Sequence, residues 1–325
     1  MAGEKNAVEI YAPDNPMTPE NTIHTLDLNF LGIPNAIAAY LIPHAHGAVL
    51  VECGPGSTVQ ALQDGLAHYG YTPADITDVL LTHIHLDHAG AAGWLAQQGA
   101  HIHVHEVGAP HMLDPTKLIR SAARIYGELM DHLWGEFLPV PEQRLRILHD
   151  NDMIEIEGLR FKALDTPGHA SHHMAYIFDD TCFCGDVGGA RMNTPGLLHV
   201  RIPAVPPEFH IEKWRQSIAR LQEEDLQFIA PTHFGIFPDA GQHLAAVEQG
   251  VNEIEAWMES ALPADPSLER LQDDFVMWSK QRSLNAGLGE EWVAAFEAAN
   301  PSAMSAGGIQ RYWRKFRTGY ARVLL

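Results

Sequence analysis

The sequence predicts an α/β protein in which two β-sheets pack face to face between helices, an αββα sandwich, followed by an all-helical region. Over the first 240 residues, short apolar runs of strand length alternate with Gly/Pro/Asn turn signals and with helical patterns. The first 240 residues divide into two halves, and in each half strands are followed by a helix. This order suits two sheets flanked by helices. From about Gly241 the pattern becomes helical. We therefore predict one domain over residues 1–240 and a helical C-terminal region over residues 241–325.

Composition narrows the classes of function. The chain has 325 residues, of which 46% are apolar, enough for a full core. Its 41 acidic and 21 basic residues give a net charge of −20, which disfavours nucleic acids and anionic membranes as partners. Three cysteines are too few for a disulfide framework. No window is apolar enough to span a membrane and the first residues do not resemble a leader, so we expect a cytoplasmic protein; homo-oligomerisation is left open.

The N-terminal elements are predicted from apolar runs separated by turn signals. Strands at residues 22–30, 36–42 and 48–52 are expected to form an antiparallel meander. A Gly/Pro turn at 52–58 leads into a helix with Val59, Leu62, Leu66 and Tyr69 at helical spacing. A buried strand over 76–81 follows.

The remaining elements continue the alternation. A strand is expected at 102–105, and a single helix over 115–135 lies within an insertion at about 107–141. The further strands are predicted at 144–148, 153–156, 159–164, 174–178, 181–184 and 227–230. The further helices are predicted at 209–221, 245–258, 268–279, 291–299 and 309–323.

The stretch from Thr82 to Gly90 carries three imidazoles and one carboxylate on a predicted strand-to-helix turn. His83 and His85 point the same way on an extended segment and can share one metal ion. Asp87 and His88 lie where the chain begins to curl, so they could serve a second ion. The order of these residues predicts a transition-metal site.

Three further ligand types stand at the ends of predicted strands. These are His169 in Thr-Pro-Gly-His, Asp186 in Cys-Gly-Asp and His233 in Pro-Thr-His. Each residue alone is compatible with an ordinary loop position. Together with the nine-residue stretch they predict one shared metal centre.

In this combination the sequence resembles the metallo-β-lactamase-fold hydrolases, which include hydroxyacylglutathione hydrolases (glyoxalase II) and acyl-homoserine lactonases, over roughly residues 20–240. The resemblance implies that one metal is held by His83, His85 and His169. It implies that the other is held by Asp87, His88 and His233, with Asp186 as the bridge between them. The implied cofactors are two divalent metal ions, zinc in the first place, with iron or manganese as alternatives.

The implied reaction is hydrolysis of a small ester, thioester or lactone. A water that bridges two metal ions loses a proton near neutral pH, which supplies a hydroxide nucleophile. Asp87 is the candidate for moving protons because it is a carboxylate of the metal site. Cys53 is a competing nucleophile, but we interpret it as a small buried thiol; its Glu-Cys-Gly departs from the Asp-x-Gly of the family.

The sequence also offers a feature that could select a small-molecule substrate with an anionic tail. From Ile309 onward the chain has no acidic residue and carries the basic residues Arg311, Arg314, Lys315, Arg317 and Arg322. We favour a solvated helix face for this run. The alternative is a docking patch for a tail such as glutathione or coenzyme A, as the resemblance to hydroxyacylglutathione hydrolases implies.

Other activities of the same superfamily remain open at this point. A mononuclear iron enzyme similar to persulfide dioxygenases keeps the same motif. Flavodiiron-type sites carry Glu at the position of His85, which counts against them. An RNA-processing nuclease or phosphodiesterase is disfavoured by the acidic charge of the chain.

Overall fold

The computed structural model describes residues 22–318 and contains a six-stranded sheet with the order β1-β2-β3-β4-β5-β6. Its strands are β1 His24–Asp27, β2 Ala38–His44, β3 Gly47–Val51, β4 Ile76–Leu80, β5 His101–His105 and β6 Leu145–Leu148. The strands β1, β2 and β3 pair antiparallel, which confirms the predicted meander. From β3 to β6 the pairing is parallel.

A second sheet of five strands has the order β11-β10-β9-β8-β7. Its strands are β7 Met153–Ile156, β8 Leu159–Asp165, β9 Met174–Phe178, β10 Thr181–Phe183 and β11 Phe228–Ala230. Only the β10–β11 pair in this sheet is parallel, while its other three pairs are antiparallel.

The two sheets face each other across an apolar core, because alternate residues of their strands point into the space between the sheets. In β2, Tyr40 and Ile42 point into the space between the sheets, where they join Phe161 and Tyr176 of the second sheet. The residues in between, such as Leu41, point outward to the helices. Both faces of the sheet are therefore covered.

The helices form the two outer layers, which confirms the predicted αββα sandwich. Over the first sheet lie α1 Val59–His68, α2 Leu86–Ala89, α3 Ala92–Gln98, α4 Ala109–Leu113, α5 Thr116–Tyr126 and α6 Met130–Trp134. Over the second lie α7 Ile211–Gln222, α8 Ala240–Ala261, α9 Leu268–Asn285 and α11 Ser302–Tyr312, with α10 Glu290–Ala299 packed beside them. None of the helices between residues 22 and 318 has both the length and the apolar composition that a bilayer span requires.

Two predicted helices differ from the observed ones. The single helix predicted over 115–135 is wrong: α5 ends at Tyr126, Gly127 has a φ of 55°, and α6 follows after a 3-10 turn. The helix predicted from Ile309 begins at Ser302 instead. Gly308 suggested a loop, but it lies inside α11, where a Cβ would overlap the carbonyl group of Ala204. The helix predicted to reach 323 ends at Tyr312, continued by a π-helical turn to Arg317; residues 319–325 lie outside the described part.

Candidate metal centre

The structure brings the seven predicted ligand residues together at one edge of the sandwich. His83 and His85 lie on the extended turn after β4, while Asp87 and His88 lie on α2. The other three are His169, Asp186 and His233, which follow β8, β10 and β11. The chain turns at the ends of neighbouring strands and so delivers distant side chains to one place.

His83, His85 and His169 form the first group of ligand atoms. Nε2 of His83 lies 3.0 Å from Nδ1 of His85, and Nε2 of His169 lies 2.9 Å from that same nitrogen. Burial lowers the pKa of His169 to about 4 and that of His83 well below the ordinary range for histidine. The rings are therefore uncharged at neutral pH and present lone pairs suitable for a metal ion.

Hydrogen bonds on the far side of two of these rings fix their orientation. The Nδ1 proton of His169 is donated to the carbonyl oxygen of Pro203 at 2.9 Å. Nδ1 of His83 lies 3.1 Å from the hydroxyl of Thr82, whose proton goes to Glu52, so the hydroxyl oxygen can accept from the ring. In both histidines Nε2 is left as an acceptor that faces the cluster.

Asp87, His88 and His233 form the second group. An oxygen of Asp87 lies 3.6 Å from Nε2 of His88 and 3.5 Å from Nε2 of His233. His233 donates its Nδ1 proton to the carbonyl oxygen of Ala36 at 2.7 Å. Its Nε2 therefore also faces the cluster as an acceptor.

Asp186 lies between the two groups. Its Oδ2 atom is 3.4 Å from Nε2 of His169 in the first group. Its Oδ1 atom is 3.4 Å from Nε2 of His88 and 3.5 Å from Nε2 of His233 in the second. One carboxylate thus presents a different oxygen to each group, as a bridging ligand would.

The charge and hydrogen bonding of the second group fit a cation. Nε2 of His88, Nε2 of His233 and Oδ1 of Asp186 are buried and lack a hydrogen-bond partner among the described residues. Burial alone would lower the pKa of His88, but the carboxylates of Asp87, Glu52 and Asp186 raise it well above its ordinary value. A metal ion would satisfy these atoms and compensate the negative charge.

Glu52 is a residue of this centre that the sequence reasoning missed. Its buried carboxylate lies 2.9 Å from Nδ1 of His88 and 3.0 Å from the hydroxyl of Thr232, and it also accepts the hydroxyl proton of Thr82. It therefore holds a proton on Nδ1 of His88 and leaves Nε2 free. The available signal was a lone acidic residue between a buried strand and a Gly-Pro-Gly turn, at the position where the family carries Asp.

His173 orients the loop that carries Asp186. Its Nε2 accepts hydrogen bonds from the backbone N–H groups of Asp186 at 3.1 Å and Val187 at 3.3 Å. Its Nδ1 lies 2.8 Å from the hydroxyl of Thr166. Since Nε2 is occupied by these two donors, His173 supports Asp186 and is not itself free for a metal.

The three cysteines are buried and unpaired, as expected from their number. Burial, together with the nearby carboxylate of Glu52, raises the pKa of the Cys53 thiol well above its ordinary value. The thiol lies 3.2 Å from the carbonyl oxygen of His88, to which it donates. Cys53 is therefore a packed thiol and not an activated nucleophile.

The comparisons with known proteins agree with this fold and site. The family model of the metallo-beta-lactamase superfamily matches residues 32–233. A hydroxyacylglutathione hydrolase of Aeromonas salmonicida is 25% identical over 289 residues, which cover 85% of this chain and 93% of that protein. A metallo-beta-lactamase fold-containing protein of Sulfurisphaera tokodaii is 28% identical over 195 residues, 58% of this chain and 72% of that protein.

A solved structure of an archaeal metallo-beta-lactamase superfamily protein from Sulfolobus tokodaii has the same fold. It superposes with a TM-score of 0.62 at 20% identity and covers 90% of this chain and 99% of that chain. The matched segment, residues 32–233, includes ten of the eleven strands, all except β1, and all seven candidate ligands. Because the family model spans well over half of the sequence, the chain belongs to the metallo-beta-lactamase superfamily.

Proposed function

We propose that this protein is a metal-dependent hydrolase that holds two divalent ions, zinc in the first place, and cleaves a small ester, thioester or lactone. The observation that carries the proposal is the position of Asp186, which turns one oxygen to each of two separate ligand groups. Hydrolysis of a thioester is supported by relatives named hydroxyacylglutathione hydrolase, although at 25% identity.

The chemistry follows from what the ligand groups can hold. When bound, two divalent ions would polarise a carbonyl oxygen and lower the pKa of water to near neutrality. The imidazoles of His83, His85 and His169 contribute no charge, so Asp87 and Asp186 supply the negative charge that balances the ions. The hydrogen bonds behind the rings keep these ligands oriented and reduce the reorganisation needed during the reaction.

Asp87 is the residue that we propose for proton transfer. It faces the cavity above the ligand groups. Burial would raise its pKa, but His88 and His233 lower it to about 2. Asp87 is therefore ionised at neutral pH, and it can accept a proton at a carboxylate oxygen only briefly before passing it on.

Metal analysis combined with a substrate panel tests this proposal. We expect close to two transition-metal ions per chain, and hydrolysis of members of a panel of esters, thioesters and lactones. Asp186→Ala should lose metal and activity together, because both ligand groups lose their shared carboxylate. Asp78→Ala is the matched control. It also removes a buried carboxylate, but this one hydrogen bonds His103 at 2.7 Å and is not one of the candidate metal ligands.

Different outcomes would contradict different parts of the proposal. One ion per chain, with Asp87 and His233 dispensable, would overturn the two-metal site. A single iron ion with oxygen consumption on glutathione persulfide would favour the dioxygenase alternative. Equal loss of metal in Asp78→Ala and Asp186→Ala would mean that unfolding, and not ligand removal, explains the result.

A further inference from the structure

A cavity of about 440 Å³ opens above the candidate metal ligands. His85, Asp87, His169 and Asp186 lie at its floor. Its volume falls within the range of about 300 to 1,000 Å³ that small-molecule sites occupy. The cavity is therefore large enough for much more than the reacting bond.

The walls of this cavity are mainly apolar and come from three separate parts of the chain. The α5–α6 side supplies Leu118, Ile125 and Trp134. The segment before α7 supplies Val205, and the C-terminal helices supply Ala298 and Met304. The walls of the cavity therefore come largely from the insertion and the C-terminal helices, the two regions that are added to the αββα sandwich.

Several apolar side chains of the wall are unusually exposed. Leu31, Val107 and Ile125 keep 44%, 47% and 49% of their surface in contact with solvent. Leaving large apolar side chains in water costs free energy that an apolar ligand would recover. All three residues line the cavity beside the candidate metal ligands, where a substrate would cover part of their surface.

The walls of the cavity offer little positive charge to an anionic group. Lys117 is the only lysine or arginine among the described residues that line it, and Glu208 is acidic; Asp87 and Asp186 also line it, but they would be balanced by the bound metal ions. The predicted C-terminal basic patch does not line the cavity: Arg317 forms ion pairs with Glu212 and Glu255 instead. Arg322 lies outside the described residues, and docking of an anionic tail on this patch stays a prediction.

We propose that the cavity binds an apolar acyl chain, so that the substrate is an ester or thioester of a medium-length or long acyl group. This inference rests on the proposed hydrolase function, because the cavity floor is formed by the candidate metal ligands. The acyl side is assigned to the cavity because the thiol carriers of thioesters are polar and charged. Such a carrier would have to lie at the mouth, while the chain on the carbonyl fills the apolar interior.

A series of acyl lengths with one leaving group tests this assignment. With p-nitrophenyl acetate, hexanoate and decanoate, kcat/KM should rise by up to about three- to four-fold for each added methylene until the cavity is filled. Ethyl, hexyl and decyl acetate lengthen the alcohol side instead and should differ little. An acyl series without chain-length dependence, or a stronger dependence in the alcohol series, would overturn the proposal.

A variant that fills the cavity provides a second test. Ala298 is an exposed residue of α10 that lines the cavity, so Trp at this position should project into it without disturbing a core. Ala298→Trp should lower the ratio of decanoate to acetate hydrolysis about ten-fold or more. Ala294→Trp is the matched control, because Ala294 is exposed on the same helix but does not line the cavity. An equal change of the ratio in both variants would contradict the proposal.

A binding measurement separates this inference from the proposed function. N-phenylnaphthylamine, an uncharged fluorophore, should bind the metal-loaded protein and should be displaced by dodecanone at far lower concentration than by butanone. If Ala298→Trp weakens this displacement but the protein hydrolyses no member of the panel, the apolar site is supported and only the hydrolase function is overturned. Hydrolysis of short esters without selective displacement would overturn the acyl site and leave the hydrolase intact.

Discussion

Glu52 orients His88 of the second ligand group, because it hydrogen bonds Nδ1 of that ring, opposite the Nε2 atom that faces the cluster. The residue adopts a left-handed backbone conformation with a φ of 66°, which is uncommon for a residue with a side chain. Its carboxylate accepts from Thr82, His88 and Thr232, and these bonds stabilise the unusual conformation. The side chain touches no substrate surface, so it acts through His88 as a positioning residue.

Replacing Glu52 with Gln should weaken metal binding selectively. Glu52→Gln removes the negative charge that favours a proton on Nδ1 of His88, and its amide N–H₂ replaces a carboxylate oxygen that accepts from Thr82, so His88 is held less firmly. We expect the zinc affinity of the second group to fall about 10- to 100-fold, measured by competition with a zinc-binding dye. Glu106→Gln, in an exposed contact with His149, is the control. Unchanged affinity in Glu52→Gln would show that the carboxylate does not position the ligand.

His243 is a buried neutral histidine that contacts the Gly185–Gly188 turn, which carries Asp186. Its Nε2 donates to the carbonyl oxygen of Gly188 at 2.8 Å, and its Nδ1 lies 3.3 Å from the guanidinium of Arg191. Protonation would therefore place an N–H against a cation. Burial and Arg191 lower the pKa of His243 from 6.5 to about 4, despite the bond to Gly188.

This histidine should make stability depend on pH. The unfolded chain binds its proton below pH 6.5 while the folded chain does not until about pH 4, so stability is lost as pH falls through that interval. The loss from this group is up to about 3 kcal/mol. Urea unfolding of His243→Gln, whose amide can make both contacts, should show a weaker fall between these pH values than the unchanged protein. Parallel pH profiles would contradict the assignment.

At the scale of elements, the insertion docks on the sandwich through glycines. A Cβ on Gly93 of α3 would overlap the carbonyl oxygen of Leu138, and one on Gly56 would overlap that of Glu136. The backbones can approach this closely only because a side chain is absent. Leu138 and Glu136 directly follow α6, so their contacts with Gly93 and Gly56 also position α6. Trp134, the last residue of α6, lines the cavity.

Gly93→Ala should therefore disturb the insertion. The added methyl group must move the 135–140 segment or α3, at a cost of about 1 to 3 kcal/mol in the free energy of unfolding. Gly241→Ala is a suitable control because nothing lies within 4 Å of a Cβ there, and it should be neutral or slightly stabilising. Urea unfolding measures both. A Gly93→Ala protein as stable as the unchanged one would show that the docking is looser than the distances indicate.

Sequence patterns predicted the strands better than the helices of the variable regions. Strands such as β2, β3 and β9 are buried on both faces, so burial fixes their apolar composition. Two glycines show why these helices were harder to predict. Gly127 separates α5 from α6 with a φ of 55°, and nothing lies within 4 Å of a Cβ at this position, whereas Gly308 lies inside α11, where a Cβ would overlap the carbonyl group of Ala204. The same residue type ends one helix and lies inside the other, and the tertiary contact of Gly308 is not visible in the local sequence.

The candidate site was predicted in its ligand types but not in its surroundings. Imidazoles and carboxylates at strand ends form a local pattern that can be read from the sequence, and all seven residues do converge. Glu52 was not foreseen. Its role, like the meeting of Leu118 and Ala298 in the wall of one cavity, depends on which distant segments become neighbours, and the spacing of residues in the sequence does not show this.

At the scale of the whole molecule, the C-terminal helices share a core with the sandwich. Trp214 of α7 and Ile229 of β11 belong to the same buried cluster as Val247, Phe275 and Ile309 from the C-terminal helices. A region of this size makes only a marginal core alone. We therefore expect the helices and the sandwich to unfold together.

The Arg201–Glu297 pair tests that coupling because it joins the segment after β10 to α10. Arg201 is buried, binds Glu297 at 2.6 Å and Ser283 at 3.1 Å, and lies 5.0 Å from the ring of Phe296. Arg201→Ala should destabilise the protein by about 2 to 4 kcal/mol, since Glu297 keeps some solvent contact and escapes the full cost of an unpaired buried charge. Arg270→Ala, which breaks an exposed pair with Asp274, should cost about 0.5 kcal/mol or less. Calorimetry should show one transition in all three proteins, shifted as a whole in Arg201→Ala. If Arg201→Ala instead separates an early helical transition from an unshifted later one, the C-terminal helices fold as a unit of their own, and the cavity wall that they supply would be detachable from the metal centre.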